Sequence, residues 1–414
     1  MTTPKVVVVG SNHEYAPVAI RERLAFSGEA LTDGLKALHA QLGEGMILST
    51  CNRTEIYTVE TSDVDARDEI FQFLSGYHSV PTHILTNASY SHSGAEAVAH
   101  LFRVASGLDS LVLGEPQILS QIRETLALAR DAGSVGPVLQ RLASDALRLG
   151  KRARTETNIA RNRVSIAHAA VDLAVRELDG LSGKSVLLLG AGKMATLTGK
   201  LLRSHRIGEL LVVNRSLPRA QELAQAVGGF AVPVSGLMEA IARADLVFGA
   251  VMVDEPMVAA DLVAHRARPL LMIDISVPRS ISADCELVEG VRVRDVDALE
   301  PFAAETRRQY ADEVTKVEDL VQSAVDEFGE WARSRAGAKA ITRLHQHAED
   351  VRDAEVQRTL RRLSHLSERD QDLVRALAHA VTRKFVHDPI LALREAGTDE
   401  QSDRILRILG VKSD

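Results

Sequence analysis

The feature that most constrains the fold is a regular alternation of apolar strand candidates and helical segments between residues 185 and 297. Six short runs rich in Val, Leu and Ile are separated by stretches with helical spacing: SVLLLG, ELLVVN, FAVPV, DLVFGAV, LLMIDIS and VRVRDVD. Buried parallel strands have this apolar character, and each needs a crossover, usually a helix, to reach the next strand. The alternation therefore predicts a doubly wound α/β sheet.

The first of these strand candidates runs into a glycine-rich turn and then into a helical segment. The turn has the spacing G-x-G-x-x-A and consists of Gly190, Ala191, Gly192, Lys193, Met194 and Ala195. Gly190 permits a tight turn, and Gly192 allows backbone N–H groups to approach a pyrophosphate at the start of the helix. Because the motif stands between a strand and a helix, it predicts a Rossmann-like dinucleotide-binding domain.

The second strand candidate ends in Asn214, Arg215 and Ser216, where an NAD-binding domain usually carries an acidic residue. An acid would repel the 2′-phosphate of NADP, whereas an arginine and a serine can hydrogen-bond to it. We therefore predict NADPH as the cofactor, with all three residues at its binding site. The alternative, that Arg215 is an ordinary surface residue at a strand end, stays open.

The length of 414 residues predicts two or three domains, which makes this a multidomain α/β protein. Residues 1–157 mix short strand candidates with helical stretches and indicate a compact α+β domain. The alternating segment places the nucleotide-binding domain at 158–305. Residues 306–414 lack strand signals and predict an all-helical domain, with one long amphipathic helix over 305–335. Its apolar stripes must be buried by neighbouring helices or by a second subunit.

Cysteine content and charge narrow the class of protein. Two cysteines, Cys51 and Cys285, exclude a disulfide framework and predict reduced thiols. The net charge of −7 argues against nucleic-acid binding by bulk electrostatics, although residues 141–163 carry seven basic and two acidic side chains. That segment is either a solvated helix face or a phosphate-binding surface that uses Arg152 and Arg154. No apolar run approaches the roughly 18 residues of a membrane span, so we expect a cytoplasmic protein.

Cys51 stands among small polar residues between two apolar strand candidates, with Arg53 two positions further on. A nearby guanidinium lowers the pKa of a thiol, and a polar turn keeps the sulfur accessible, so the segment predicts a reactive thiolate. The residues alone leave a structural role open. Cys285 lacks such surroundings and is predicted to be structural.

A second group of polar residues lies between residues 100 and 121. Pro116 suits the first turn of a helix, after which Gln117 and Gln121 share one helix face. Taken singly, each is more typical of a surface position than of a ligand-binding site. His100, in an apolar helix, is more typical of a buried, hydrogen-bonded histidine.

Three long motifs in this order resemble the glutamyl-tRNA reductase family. They are SNHEYAPVAIRERLAF near the start, STCNRTEIY around Cys51, and HLFRVASGLDSLVLGEPQILSQI. The glycine turn with VNRS, the later IDISVPR and the helical tail are also similar to that family. The resemblance extends over essentially the whole chain.

The resemblance implies a particular reaction. Cys51 would attack the ester carbonyl of glutamyl-tRNA(Glu), release the tRNA and form a glutamyl thioester. Reduction with NADPH would then give glutamate-1-semialdehyde, the first step of the five-carbon pathway to 5-aminolevulinate and tetrapyrroles. No metal is implied.

The resemblance also implies roles for individual residues. Arg53 would pair with the substrate carboxylate, Glu115 with its α-ammonium, and His100 would assist thiolate formation or proton transfer to the leaving group. The remaining substrate-binding positions are Thr50, Asn52, Ser110, Pro116, Gln117 and Gln121.

The implied architecture has a catalytic domain at 1–157, an NADP-binding domain at 158–305 and a helical dimerisation domain at 306–414 along a long spinal helix. The implied partners are glutamyl-tRNA(Glu), a second copy of the chain in a homodimer, and glutamate-1-semialdehyde aminomutase in a transient complex.

Two rival functions are weighed against this one. A quinate/shikimate-type dehydrogenase shares the fold expected for 158–305 but needs no cysteine nucleophile. A scaffold that binds tRNA or a partner without chemistry would not need to keep Cys51, Arg53, His100 and the glycine turn.

Overall fold

The computed structural model describes residues 5–60, 65–115, 117–159, 165–253, 255–264, 266, 268–396 and 399–411. Pro116 of the candidate site lies outside the described residues, as do Arg161 and Arg163 of the basic segment. Contacts divide the chain into two units, one of Val6–Thr58 with Asp65–Gln322 and one whose main part is Ser323–Asp414.

The N-terminal strands are β1 (Lys5–Asn12), β2 (Gly45–Ser49), β3 (Arg53–Glu60) and β4 (Tyr90–Ser93). In the described residues they form one sheet of order β2-β3-β1-β4, with β2 antiparallel to β3 and β1 antiparallel to β4. The first three strands confirm the sequence prediction. Strand β4 was missed because Tyr-Ser-His-Ser is too short and polar to give an alternating signal.

Seven described helices surround this sheet: α1 (Val18–Arg21), α2 (Glu29–Leu42), α3 (Ala66–His78), α4 (Thr82–Asn87), α5 (Ala95–Ser106), α6 (Gln117–Asp131) and α7 (Pro137–Glu156). A 3₁₀ turn at Glu22–Leu24 follows α1. Val7, Val9 and Ile56 share one apolar cluster with residues of α2 and α3. Since side chains alternate along a strand, the opposite face of β3 carries the polar residues of the site.

The nucleotide-binding part has six strands in the described residues: β5 (Ser185–Leu189), β6 (Glu209–Val213), β7 (Phe230–Val232), β8 (Leu246–Gly249), β9 (Leu270–Asp274) and β10 (Val291–Asp295). Its helices are α8 (Ile166–Glu177), α9 (Lys193–Ser204), α10 (Leu217–Val227), α11 (Leu237–Arg243) and α12 (Ala260–Val263), with 3₁₀ turns at Val234–Gly236, Ala283–Leu287 and Val296–Leu299. All five strand pairs are parallel, which confirms the predicted doubly wound sheet.

The strand order is β10-β9-β8-β5-β6-β7, so the direction of winding reverses between β5 and β8. Ligands of doubly wound sheets bind at the carboxyl ends of the strands beside such a reversal. The glycine turn at 190–195 follows β5 at this point.

Both faces of the parallel sheet are buried. Val186 and Leu188 belong to one apolar cluster and Leu187 and Leu189 to another, as alternate residues of a strand covered on both sides. The first cluster also includes Val18, Leu111 and Val112 of the N-terminal part. The N-terminal and nucleotide-binding parts therefore pack directly on one another.

The described C-terminal helices are α13 (Glu300–Gln309), α14 (Ala311–Arg362), α15 (Glu368–Glu395) and α16 (Asp399–Ile408). The predicted single helix over 305–335 is interrupted by a turn at Tyr310, for which the local sequence offers no explanation, and α14 then continues for 52 residues. The all-helical prediction is confirmed. Among the described helices, none combines the length and the apolar character of a membrane span.

In the second unit, Ala340 and Leu344 of α14, Leu393 of α15, Leu406 of α16 and Val411 form a small apolar core. Helix α15 also carries large apolar side chains that remain exposed at intervals of four residues: Leu373, Leu377, Val381 and Phe385. Side chains four apart lie on the same helix face, so these residues form one stripe, the α15 stripe.

Candidate active site

Cys51 lines an open cleft with about 320 Å³ of empty space, including its mouth. We call it the Cys51 cleft. Eight of the predicted catalytic and substrate-binding residues line it, together with Leu111 and Ile118: Thr50, Cys51, Asn52, Arg53, Ser110, Glu115, Gln117 and Gln121. Residues separated by up to 71 positions in sequence, from Thr50 to Gln121, therefore meet at one place.

The turn between β2 and β3 carries Cys51. The two ends of the turn are joined by a backbone hydrogen bond, in which the N–H of Thr50 donates to the carbonyl of Arg53 at 2.8 Å. The Thr50 hydroxyl oxygen accepts from the N–H groups of Asn52 and Arg53, each at 3.2 Å. Thr50 thereby fixes the turn that presents Cys51, a role that its place in the sequence did not specify.

The loop before α6 carries Ser110 and Glu115, and Gly114 allows it to approach the end of α7. Gly114 has φ +74°, and a Cβ built there would lie 2.2 Å from the carbonyl oxygen of Ile159. Arg154 of α7 holds the same loop, because its guanidinium donates to the carbonyl of Glu115 at 2.7 Å and to that of Gly150 at 2.6 Å.

The position of Arg154 corrects the sequence prediction for the basic segment. Its guanidinium also donates to the carbonyl of Ala105. Arg154 therefore holds the backbone beside the cleft, and its donors are not directed toward a phosphate on the surface. Arg152 pairs with Glu156 at 3.0 Å and Arg148 with Asp145 at 3.2 Å. Much of the predicted basic surface is thus neutralised within α7.

The electrostatics of the thiol differ from the sequence prediction. Burial of the sulfur, reinforced by the Glu115 carboxylate, raises the pKa of the Cys51 thiol to about 12. Arg21 and Arg53 act in the opposite direction but do not offset the burial. Arg53 does lower the pKa of the thiol, as predicted, but the net shift is upward, so the prediction of a thiolate is wrong. The Cys51 side chain packs against the apolar cluster that the N-terminal and nucleotide-binding parts share, a contact that the local sequence cannot reveal.

Arg53 belongs to a buried charge network behind the cleft. Its guanidinium donates to the Glu55 carboxylate at 2.5 Å and to the backbone carbonyl of Asp109. The fully buried Glu55 also accepts from Tyr57 at 2.6 Å and Tyr90 at 2.5 Å. Although burial alone would raise the pKa of the Glu55 carboxyl, these partners hold it well below its ordinary value.

His100 joins this network rather than the lining of the Cys51 cleft. Its Nε2 lies 2.9 Å from Glu55 Oε1, and its Nδ1 lies 3.3 Å from Asp109 Oδ2. Burial disfavours the imidazolium, but Glu55 and Asp109 prevail and raise the pKa of His100 to about 9. His100 thus contacts the groups that fix Arg53, and it is a charged member of the site at neutral pH.

Glu55, Tyr57, Tyr90 and Asp109 were not assigned roles from the sequence. One signal was available for two of them: Arg53, Glu55 and Tyr57 alternate along a strand candidate and must share a face. Tyr90 and Asp109 reach the network from β4 and from the loop after α5, which only the fold brings together.

The raised pKa of His100 predicts a specific dependence of stability on pH. A folded-state pKa of about 9 stabilises the protein fully below the ordinary histidine value of about 6.5, and this contribution is lost as pH rises through about 9. We expect the free energy of unfolding to fall between these values by on the order of 2 kcal/mol more in the native protein than in His100→Asn. Urea unfolding across that pH range measures it, and parallel curves for the two proteins would contradict it.

The glycine turn has the geometry that the fingerprint predicts. Gly190 has φ +109°, and a Cβ there would lie 2.4 Å from the carbonyl oxygen of Ala250, so a side chain is excluded. Gly192 is the N-cap of α9 and faces open space where a Cβ would stand. In the described residues no side chain caps α9, so its first N–H groups remain available to an anion. Lys193, Met194 and Ala195 form the first turn of that helix.

The residues after β6 fit a phosphate next to this turn. Ser216 is the N-cap of α10 and, within the described chain, forms no capping bond through its hydroxyl. Arg215 is exposed and donates to the carbonyl of Met252 at 3.1 Å, while the Asn214 amide donates to the carbonyl of Ser216 at 3.1 Å. A guanidinium and a hydroxyl at a helix start are suitable donors for a 2′-phosphate.

The Cys51 cleft adjoins the glycine turn. The Gln117 side-chain amide, which lines the cleft, donates to the sulfur of Met194 at 2.8 Å. Met194 and Ala191 pack against the same apolar cluster as Cys51. A thiol and a nucleotide-binding turn therefore share one interface, an arrangement that defines the chain as a multidomain oxidoreductase.

Comparison with known proteins identifies the family. Three family models match in order: "Glutamyl-tRNAGlu reductase, N-terminal domain" at residues 9–157, "Shikimate / quinate 5-dehydrogenase" at 172–302 and "Glutamyl-tRNAGlu reductase, dimerisation domain" at 316–410. The glutamyl-tRNA reductase of Syntrophotalea carbinolica is 38% identical over 95% of this chain and 90% of its own length. That of Roseiflexus castenholzii is 39% identical over 95% and 94%. The chain belongs to the glutamyl-tRNA reductase family.

A solved structure is also similar, that of the glutamyl-tRNA reductase from Methanopyrus kandleri. It is 31% identical, covers 95% of this chain and 98% of its own, and superposes with a TM-score of 0.49.

Proposed function

We propose that this protein catalyses the NADPH-dependent reduction of glutamyl-tRNA(Glu) to glutamate-1-semialdehyde with release of tRNA, the first step of the five-carbon pathway to tetrapyrroles. The observation that carries the proposal is the contact between Gln117 of the Cys51 cleft and Met194 of the glycine turn. This contact supports the proposal because it joins the cleft that Cys51 lines to the turn that would hold the nucleotide.

In the first step, the Cys51 sulfur bonds to the ester carbonyl carbon of the aminoacyl group. The bond from that carbon to the tRNA ribose oxygen breaks, and the thiol proton ends on the released ribose hydroxyl. The product is a glutamyl thioester on Cys51. Because burial raises the pKa of the Cys51 thiol, proton removal has to accompany substrate binding and attack.

The residues that line the cleft suit the glutamyl group. Arg53 would pair with the side-chain carboxylate, since Glu55 and the Asp109 carbonyl already orient its guanidinium. Burial raises the pKa of the Glu115 carboxyl to about 7, and an α-ammonium bound beside it would favour the ionised carboxylate that pairs with it. Ser110, Gln117 and Gln121 supply further polar contacts, with Asn52 beside the nucleophile.

The free N-terminus of α9 and the pair Arg215 and Ser216 are the residues that would hold NADPH. A bound NADPH supplies the hydride that converts the thioester into the aldehyde and frees the Cys51 thiolate. The chain itself contributes the pyrophosphate and 2′-phosphate sites and keeps the cleft beside them.

A change of charge at Arg215 tests the nucleotide preference. We expect Arg215→Asp to reduce the preference for NADPH over NADH by about tenfold or more, because a donor to the 2′-phosphate is replaced by a repelling carboxylate. Equilibrium titration of both nucleotides measures it. Lys200→Asp, an exposed charge reversal on α9, is the control and should leave the ratio unchanged. An unaltered ratio in Arg215→Asp would assign the 2′-phosphate to other residues.

The proposed assembly is a homodimer formed through the C-terminal helices. The α15 stripe supports it, because its four large apolar residues are 57–75% exposed in the single chain. We expect Leu377→Glu combined with Phe385→Glu to yield monomers at micromolar concentration, measured by light scattering after gel filtration. Arg383→Glu is the matched control, since residue 383 lies on the opposite face of the helix from 385. A dimer that survives the double substitution would move the interface elsewhere.

Three finer parts of the proposal remain predictions. They are the domain boundaries at 157/158 and 305/306, contact of the basic segment at residues 141–163 with tRNA, and transfer of the aldehyde to glutamate-1-semialdehyde aminomutase. Of the two rivals, a quinate/shikimate-type dehydrogenase accounts for 172–302 alone, and a scaffold without chemistry does not account for a cysteine that lines a cleft.

The decisive experiment is mass spectrometry of the protein mixed with glutamyl-tRNA in the absence of NADPH. We expect a glutamyl adduct on the peptide that contains Cys51 and none on the peptide that contains Cys285. Addition of NADPH should discharge the adduct. A modified peptide elsewhere, or turnover without any adduct under trapping conditions, would refute the thioester route.

A further inference from the structure

Arg21 lies beside the Cys51 cleft without lining it, and its side chain is only 2% exposed. Its guanidinium donates to the backbone carbonyl of Cys51 at 3.0 Å and to the side-chain oxygen of Asn52 at 3.4 Å. Its Nε donates to the carbonyl of Ala16 at 3.1 Å. Arg21 therefore holds the turn that carries Cys51 through hydrogen bonds to its backbone and to Asn52.

The same guanidinium forms an ion pair with Asp297, which lies in the nucleotide-binding part after β10. The other carboxylate oxygen of Asp297 accepts from the N–H of Val18 at 2.9 Å. The pair of Arg21 and Asp297 thus joins the cysteine turn, the start of α1 and the nucleotide-binding part.

We propose that Arg21 is a positioning residue that couples the Cys51 turn to the docked nucleotide-binding part through Asp297. The proposal deepens the proposed function and rests on it for the role of Cys51 as nucleophile. Neither the cleft nor the glycine turn includes Arg21 or Asp297.

The physical basis is the fork geometry of a buried guanidinium. Its N–H groups have fixed directions, so an ion pair on one nitrogen sets the orientation of the donors on the others. Without the Asp297 carboxylate, the buried Arg21 guanidinium has no anionic partner. Its hydrogen bonds to the Cys51 carbonyl and to Asn52 then become less directional. Among the cations near the thiol, Arg21 opposes the rise of the thiol pKa more strongly than Arg53 does. Docking of the two parts and reactivity of the thiol are thereby linked.

A neighbouring ion pair provides the matched comparison. Glu22 accepts from the Arg279 guanidinium at 2.9 and 2.6 Å, so it crosses the same interface with the opposite polarity. Its contacts in the described residues do not include the Cys51 turn. Loss of this pair removes one contact between the two parts but leaves Arg21, Asp297 and their hydrogen bonds to the Cys51 turn in place.

The test is the rate of alkylation of Cys51 by iodoacetamide at one alkaline pH, followed on the Cys51 peptide by mass spectrometry in the full-length protein. We expect Arg21→Met to slow alkylation by about tenfold and Asp297→Asn by about threefold. The double variant should be no slower than Arg21→Met, because both changes break one linkage. Arg21→Lys should restore part of the rate through its charge.

Arg279→Gln should alkylate at the native rate. With glutamyl-tRNA and NADPH, Asp297→Asn should lower kcat severalfold and leave KM for glutamyl-tRNA nearly unchanged, as expected for a residue that positions the nucleophile.

Equal alkylation of Asp297→Asn and the native protein would overturn the proposal, as would an equal slowing in Arg279→Gln. If Arg21→Met does not fold, Asp297→Asn decides the matter, because that side chain is 31% exposed and tolerates the change. The alkylation comparison needs no tRNA. Failure of the positioning proposal can therefore be told apart from failure of the proposed function. The proposed function fails if Cys51→Ser still reduces glutamyl-tRNA.

Discussion

Replacing Cys51 by serine is expected to abolish the reduction of glutamyl-tRNA, with residual turnover below about one-thousandth of the native rate. A serine hydroxyl is a far weaker nucleophile than a thiol. The resulting oxygen ester would also be no easier to reduce than the ester of the substrate. Both steps that depend on sulfur are lost, so the loss of activity exceeds that expected for Arg215→Asp or Asp297→Asn.

Cys285→Ser is the matched control because it removes the second thiol. Cys285 is fully buried in the apolar cluster that contains Leu187 and Leu189, on the other face of the parallel sheet from the cluster that Cys51 contacts. Its thiol lies 3.7 Å from the carbonyl oxygen of Val258. The measurement is NADPH oxidation with glutamyl-tRNA at saturating concentration. Binding of NADPH to Cys51→Ser should be retained, which separates lost chemistry from lost folding. Near-native turnover of Cys51→Ser would eliminate the cysteine mechanism.

The largest expected effect on stability comes from Glu55→Ala, at about 3–5 kcal/mol. The fully buried Glu55 carboxylate accepts from Arg53, Tyr57, Tyr90 and His100. Its removal leaves a buried guanidinium and a buried imidazolium without their shared anion, and two phenol groups without an acceptor. We expect the N-terminal part to unfold at a markedly lower urea concentration.

Two comparisons make this result interpretable. Glu55→Gln keeps the shape and two acceptor sites but loses the charge, and should destabilise less than alanine. Glu96→Ala removes a carboxylate that is 81% exposed and 3.9 Å from His92, so it should change the free energy of unfolding by less than about 1 kcal/mol. The measurement is urea unfolding followed by circular dichroism. Equal midpoints for Glu55→Ala and Glu96→Ala would show that the network does not support the fold.

Much of the architecture was predictable because hydrophobic period and turn chemistry are local properties of the chain. All six strands of the parallel sheet and the glycine turn were found in this way. The failures were also local in origin. Strand β4 has too weak a pattern, and the turn at Tyr310 has neither Gly nor Pro to announce it.

The sequence indicated most of the residues that line the cleft but not the electrostatics of the thiol. The cleft brings together eight of the predicted residues, and the motifs carry that information in the sequence. The net shift of the Cys51 thiol pKa was predicted in the wrong direction, because the prediction counted the nearby Arg53 and could not count burial of the sulfur in the folded chain.

Sequence by itself determined the alternation that builds the parallel sheet, the glycines that its turn requires, and the identities of the polar residues around Cys51. Each depends on bonds, periodicity and backbone angles within a few residues. Only the tertiary structure decided that Arg154 supports a loop, that Glu55 and Asp109 raise the pKa of His100, and that Arg21 links the cysteine turn to Asp297. Those properties depend on desolvation and on partners distant in sequence, which act only after the chain has folded.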